Sequence, residues 1–290
     1  METSKTYWHL YSDGKRADVP FGTDQLKVFA VNSLAICASS AGAVVLCFDV
    51  NDTHLHIVIF ATDVVARRFR DKLLVRLSRH YTVNACSELL GDGFFLACDR
   101  ITKRDDVLTR IIYTFRNCLD FYNKVPWDYG WGVGNLYFSE RKDRVPGRRL
   151  SEISRRAQIS LLHTQALLPQ DWEYNTDGML LPSSFVDYRH VEQLFGTPRA
   201  FLAFLFVRKE DEQHMKQEFS SRYISERSIQ EMRDRGNSLC NSNFGKSLRA
   251  VPFESRLKIA ASMLKEGSGS KTEGFAKALY LKREDIEMLL

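Results

Sequence analysis

Apolar positions along the chain change period from segment to segment. Residues 5–11, KTYWHLY, are rich in aromatics and closed by Ser12-Asp13-Gly14, which predicts a first strand. Thr23 and Asp24 open a helix to about residue 39, with Leu26, Phe29, Ala30, Leu34 and Cys37 at helical spacing. Beyond Gly42, residues 43–49 predict a second strand. The turn Asn51-Asp52 then leads into a third strand ending at Phe60, so the two form a hairpin. Val65, Phe69, Leu73 and Leu77 recur every four residues through a helix at 63–80. Residues 81–88 predict a strand and Gly91-Asp92-Gly93 a turn. Thr102-Lys103-Arg104-Asp105 predicts a capped start to a helix carrying Val107, Leu108, Ile111, Ile112, Phe115 and Leu119. The order strand–helix–strand–strand–helix–strand–helix predicts an α+β fold, an antiparallel sheet with packed helices, over residues 1–140.

Residues 141–224 begin with a basic connector, RKDRVPGRRLSEISRR, and continue as a mixed region with a Phe-rich helix around residues 201–206. Residues 225–290 predict short helices at 252–265, 272–279 and 283–290, broken by Gly267-Ser268-Gly269-Ser270. That module suits either a helix-turn-helix DNA reader or a small packing unit. The length of 290 residues, 44% hydrophobic and 12% aromatic content fit a folded protein of two or three domains. The net charge of +5 matters through its distribution. Residues 61–80 carry six Arg/Lys against two Asp, with Arg68, Lys72, Arg76 and Arg79 forming a stripe beside the apolar face. Such a stripe suits a phosphate backbone or a solvated helix face. The six cysteines show no metal-type spacing and read as reduced cytosolic thiols. The N-terminus lacks a signal-peptide pattern, and no run of 18 apolar residues predicts a membrane span.

Candidate chemistry centres on His54-Leu55-His56. Strand alternation puts both imidazoles on one face, about 7 Å apart along the strand, where they can share a metal ion or stand as half-exposed histidines. On the later helix Tyr113 and Asn117 are four residues apart and share a face, with Arg110 and Arg116 close to it. His54, His56 and Asn117 could offer two nitrogens and an oxygen to a divalent cation, with Tyr113 one turn away as an oxygen nucleophile. A phenol of pKa about 10 needs such help at neutral pH.

These residues, in this order, resemble the single-tyrosine HUH transposases, and among them the REP-associated tyrosine transposases in an extended C-terminal form. The resemblance covers roughly residues 5–140: Tyr7-Trp8-His9, VVLCFDVNDTHLHIVIF, Ile111 to Asn117, and Pro126, Tyr129, Trp131 and Tyr137. Three positions depart from the family pattern. Asp52-Thr53 stands in place of Pro-Asn, Cys118 in place of the proline after Asn117, and Trp131-Gly132-Val133 in place of Trp-Ser-Ser.

The resemblance implies an HUH domain of ferredoxin-like or RRM-like type. It also implies metal-dependent cleavage and joining of single-stranded or hairpin DNA. Tyr113 would form a 5′-phosphotyrosine link, and His54, His56 and Asn117 would hold Mg²⁺ or Mn²⁺. DNA contacts are expected from Arg68, Lys72, Arg76, Arg79, Arg110 and Arg116. The expected setting is the bacterial cytoplasm, on the nucleoid when DNA-bound, with no membrane partner; a homodimer is consistent with the family. Two alternatives stand beside this reading. One is a domesticated hairpin-binding protein that does not cut. The other is a replication-initiator or relaxase-like nickase, disfavoured because no GxxxxGK[ST] motif marks a helicase.

Overall fold

Four strands form one antiparallel sheet: β1 (Thr6–Ser12), β2 (Val44–Val50), β3 (Leu55–Ala61) and β4 (Leu96–Ile101), in the order β2-β3-β1-β4. This is a computed structural model, and it describes residues 4–12, 19–84, 87–90, 94–122, 125–143, 145–207, 226–265 and 272–289. Helices α1 (Asp24–Ala41) and α2 (Asp63–Val83) make the two crossovers, and α3 (Arg104–Tyr122) follows β4. The expected α+β class with an antiparallel sheet is therefore present.

The helices divide between the two faces of the sheet. Thr23 and Thr62 start α1 and α2 by accepting hydrogen bonds from the backbone N–H of Leu26 and Val65. The charges of Arg67 and Arg70 on α2 act on Cys98, which pairs with Leu10, so α2 covers the Leu10 face. Helix α3 lies on the opposite face, where Ile111 O accepts from Cys47 Sγ and Tyr113 meets His56.

The fourth strand is not where the sequence pattern put it. Instead of a strand at 81–88, α2 continues to Val83 and a short 3₁₀ turn, Ser87–Leu89, follows. Tyr81 keeps the four-residue spacing of Phe69, Leu73 and Leu77, and its ring is buried with them. Its hydroxyl donates to the carbonyl of Pro20. Packing thus decides in favour of helix over the local strand propensity of Tyr81-Thr82-Val83. Strand β4 takes up the polar-looking LACDRI instead. The turn expected at residues 91–93 lies outside the described residues.

The chain divides into two compact units, residues 1–119 with 123–221, and residues 120–122 with 222–290. Within the first, residues 148–185 wrap the outer side of α1 through β5 (Arg148–Arg149), α4 (Arg155–Leu162), β6 (Glu173–Tyr174) and α5 (Pro182–Phe185). Helix α6 (Tyr188–Phe195) lies instead on the α3 face, where His190 meets Tyr7 and Phe195 meets Phe201. Leu150, Leu162, Leu168, Trp172, Tyr174 and Leu180 pack there on Ala35 and Ile36. Helix α1 is apolar almost all round because it has a neighbour on both sides. Helix α7 (Pro198–Val207) carries Phe201 against Phe115, Tyr137 and Phe195.

The segment after α3 seals the exposed edge of β2, a position that would otherwise invite another strand. Val50 N–H donates to Trp131 O, and Tyr129 and Tyr137 donate to the carbonyls of Val50 and Leu46. Gly132 comes so close that an added Cβ would lie 3.2 Å from Asp49 Oδ1 and 3.3 Å from Phe48 O.

The second unit is helical, with α8 (Glu226–Phe244), α9 (Phe253–Lys265), α10 (Thr272–Ala278) and α11 (Arg283–Glu287). The sequence pattern did not announce α8. Its Gly236 lets Leu248 and Leu279 approach, because a Cβ there would fall within 2.8 Å of both side chains. Among the described residues no helix is long and apolar enough to cross a membrane.

Asn32 joins α1 to the wrapping segment. Its Nδ2 donates to Gly178 O at 2.9 Å and its Oδ1 accepts from Leu180 N at 2.8 Å. Asn32→Ala leaves two buried backbone groups unmatched, each costing about 1–3 kcal/mol. A clear drop in the urea unfolding midpoint is expected, and an unchanged midpoint would contradict this joint.

Candidate active site

The hairpin between β2 and β3 places the histidines. Asn51 N–H donates to His54 O across the turn, and three side chains and one backbone group fix it. Ser12 Oγ accepts from Leu55 N–H, and Phe21 N–H donates to Asp52 O. Tyr129 OH, which donates to Val50 O, also lies 3.2 Å from Asn51 Oδ1, and Lys27 of α1 pairs with Asp52 at 2.5 Å. Asp52, one of the departures from the family pattern, is thus held by a local ion pair.

His54 and His56 both face α3, with ring centroids 5.1 Å apart and planes at 84°. Two imidazoles sharing one ion, with metal–nitrogen bonds of about 2.1 Å, have centroids roughly 4.6–5.3 Å apart at angles of 90–109°. The spacing therefore suits a shared ion. Tyr113 sets its ring edge-on to His56, centroids 5.2 Å apart, within the same chain. One turn on, Asn117 Nδ2 lies 3.2 Å from both His54 Nε2 and Asp49 Oδ2. Its Oδ1 is buried and meets no donor. Among the described residues no three His, Cys, Asp or Glu side chains form a metal-holding group. The set that could hold an ion is two imidazoles and this amide oxygen.

Three contributors were not among the sequence candidates. His9 of β1 lies 3.1 Å from His56 Nδ1 through its own Nε2. Asp49 pairs across the sheet with His56, and Asn51 Nδ2 lies 3.4 Å from His54 Nε2. The signal for Asp49 was present, as the one charge in the otherwise apolar strand VVLCFDV.

Burial sets the electrostatics. It pushes the His56 imidazole well below the usual histidine range, aided by His54, His9 and the Arg110 guanidinium. Burial also lowers His9, with Arg110 assisting. Both rings are therefore neutral at pH 7, the state that binds metals. The site is closed: His54, His56, Tyr113 and Asn117 are 6%, 3%, 3% and 1% exposed.

The basic candidates separate into two groups. Arg110 acts on the histidines, while Arg116 donates to Leu205 O of α7 at 2.9 Å. Arg68, Lys72, Arg76 and Arg79 are on α2, across the sheet. Lys72, Arg76 and Arg79, with His80, His163 and Phe29, line an open groove of about 1240 Å³ between α1, α2 and α4. Arg76 is occupied with structure, donating to Ser33 Oγ, Leu162 O and His163 O.

His9 and His56 titrate near 6.5 when unfolded but stay neutral when folded. Below that pH the unfolded chain binds more protons, so their stabilisation is full above about 6.5 and is lost as pH falls further. Each histidine contributes a slope of up to about 1.4 kcal/mol per pH unit. Urea midpoints of metal-free protein from pH 7.5 to 5.5 should fall, and less steeply in His9→Gln. A slope unchanged by that substitution would contradict the buried neutral pair.

Compared with known proteins, the chain matches no family model, no curated protein and no solved structure.

Proposed function

We propose that the chain is an HUH-type tyrosine transposase of the REP-associated kind, which cuts and rejoins single-stranded or hairpin DNA. The observation that carries this reading is the meeting of β3 and α3. Tyr113 stands against His56 and Asn117 against His54, from two elements 50 residues or more apart in sequence. The finer fold assignment is supported by the βαββαβ order with strands arranged 4-1-3-2, the ferredoxin-like plan.

Tyr113 Oη attacks the scissile phosphorus, a new P–O bond forms and the P–O3′ bond breaks. The phenolic proton is lost, the departing 3′ oxygen gains one, and the DNA 5′ end remains on the tyrosine. In rejoining, a 3′-OH attacks the phosphotyrosine and restores the phenol, so no ATP is consumed. His54, His56 and the Oδ1 of Asn117 would hold Mg²⁺ or Mn²⁺, which when bound polarises the phosphate oxygens. The neutral state of His56 keeps a nitrogen lone pair available, and the Arg110 charge favours the negative charge of phosphate. Since Tyr113 meets His56 of its own chain, the proposed cut is in cis. Arg68, Lys72 and Arg79 would contact DNA backbone away from the scissile phosphate, and α10 and α11 would read DNA as a helix-turn-helix. The activity belongs to a cytoplasmic, nucleoid-bound protein.

The enclosure of Tyr113 favours one second reading, a hairpin-binding protein that no longer cuts. Incubation with labelled hairpin oligonucleotides and Mn²⁺ separates the two. His54→Ala should lower cleavage about 100-fold or more, since the metal contributes several kcal/mol to the transition state. Tyr113→Phe should abolish cleavage and keep hairpin binding. Full cleavage by either variant contradicts the assignment, and binding without cleavage by the unaltered protein selects the second reading.

A further inference from the structure

We infer that His9 is a positioning residue, whose Nε2 accepts the Nδ1 hydrogen of His56 and so directs His56 Nε2 to the metal. This rests on the metal reading above and adds a residue to it.

The contact is short and joins two nearly parallel rings. His9 Nε2 lies 3.1 Å from His56 Nδ1, and the two rings are within 11° of parallel. An N–H on one ring pointing in plane at a lone pair on the other has this geometry. The sheet fixes it: β1 pairs with β3 so that His9 sits opposite Val58, diagonal to His56 on the same face. Both rings are buried, His9 at 1% and His56 at 3% exposure. Tyr11, opposite His56 in the register, closes the row with its ring 5.1 Å from that of His9.

The direction of the hydrogen bond follows from the chemistry. A neutral imidazole carries one hydrogen, and the other nitrogen is the one able to bind a cation. With His56 Nδ1 set against His9, Nε2 is the nitrogen that would face the metal under the proposed function, and in that state Nδ1 carries the hydrogen and His9 Nε2 accepts it. His9 then holds its own hydrogen on Nδ1. His54 is set in the same sense by different neighbours. Its Nε2 faces the amide nitrogens of Asn117 and Asn51 and accepts, so its Nδ1 carries the hydrogen and donates to Thr53 Oγ1 at 2.9 Å. Thr53 and His9 therefore do one job for two ligands: each receives an Nδ1–H and makes Nε2 the acceptor, and at His54 a bound ion would take the place of the amide hydrogens that Nε2 accepts here. Outer partners that fix a ligand histidine in this way typically affect metal affinity 10–100-fold.

The test is Mn²⁺ binding by titration calorimetry on the full chain at pH 7.5, with circular dichroism confirming the fold. His9→Leu removes the acceptor and should weaken Mn²⁺ binding about 10–100-fold. His9→Gln puts an amide oxygen where Nε2 was and should restore affinity to within about threefold of the unaltered protein, which a purely structural loss would not predict. Should His9→Leu fail to fold, nitrogen-15 NMR of the unaltered protein reads the His56 tautomer directly, with Nδ1–H expected. Undiminished Mn²⁺ affinity in His9→Leu, no rescue by His9→Gln, or an Nε2–H tautomer at His56 would each overturn the role of His9. Failure of the unaltered protein to bind Mn²⁺ would instead overturn the metal reading on which it rests.

Discussion

The β2–β3 turn carries polar groups into the interior, and the first unit is built to satisfy them. Asn51, Thr53 and His54 are all buried, and Asp52 is nearly so. Burying such groups without partners would cost several kcal/mol in total. Partners arrive from β1, α1, α3 and the segment after α3: Ser12, Lys27, Asn117 and Tyr129. The same groups that hold the turn also fix where His54 and His56 point. Structural satisfaction and preorganisation of the candidate site are one network, so disturbing the turn should disturb both.

The sheet separates two surfaces with different chemistry. On one side α3 closes over the histidines, giving a buried cluster in which burial and the Arg110 charge make His9 and His56 less basic. On the other, α2 presents Lys72 and Arg79 to the open groove bounded by α1 and α4. There His80 stacks on Phe29 and is made less basic by burial and then by the charges of His163 and Arg76. A strand cut at Tyr113 would not touch this groove at the same nucleotide. Under the proposed function the groove serves a different part of the DNA.

Legibility in the sequence followed the strength of the local pattern. The alternation that places His54 and His56 together, and the four-residue step from Tyr113 to Asn117, both hold in the structure because each depends on one element's period. Strand β4 was missed because LACDRI is half polar, while Tyr81-Thr82-Val83 has the stronger β preference and is held helical by the core under Tyr81. Val31 and Ala35 could have shown that α1 has a second buried side, since they lie away from the stripe of Leu26, Phe29, Ala30 and Cys37. What one sequence could not supply was register. His9 meets His56 only because β1 lies beside β3, and Asp49 reaches Asn117 only once α3 is laid on that face.

The most direct measurement is mass spectrometry of the protein after reaction with hairpin DNA and Mn²⁺, followed by exhaustive nuclease digestion. The proposed chemistry predicts a nucleotide remnant joined through a 5′-phosphate to Tyr113 and absent from every other tyrosine. A remnant on another residue, such as Tyr11 or Tyr129, would contradict the assignment of the nucleophile. DNA cut with no remnant on the chain would contradict covalent catalysis itself.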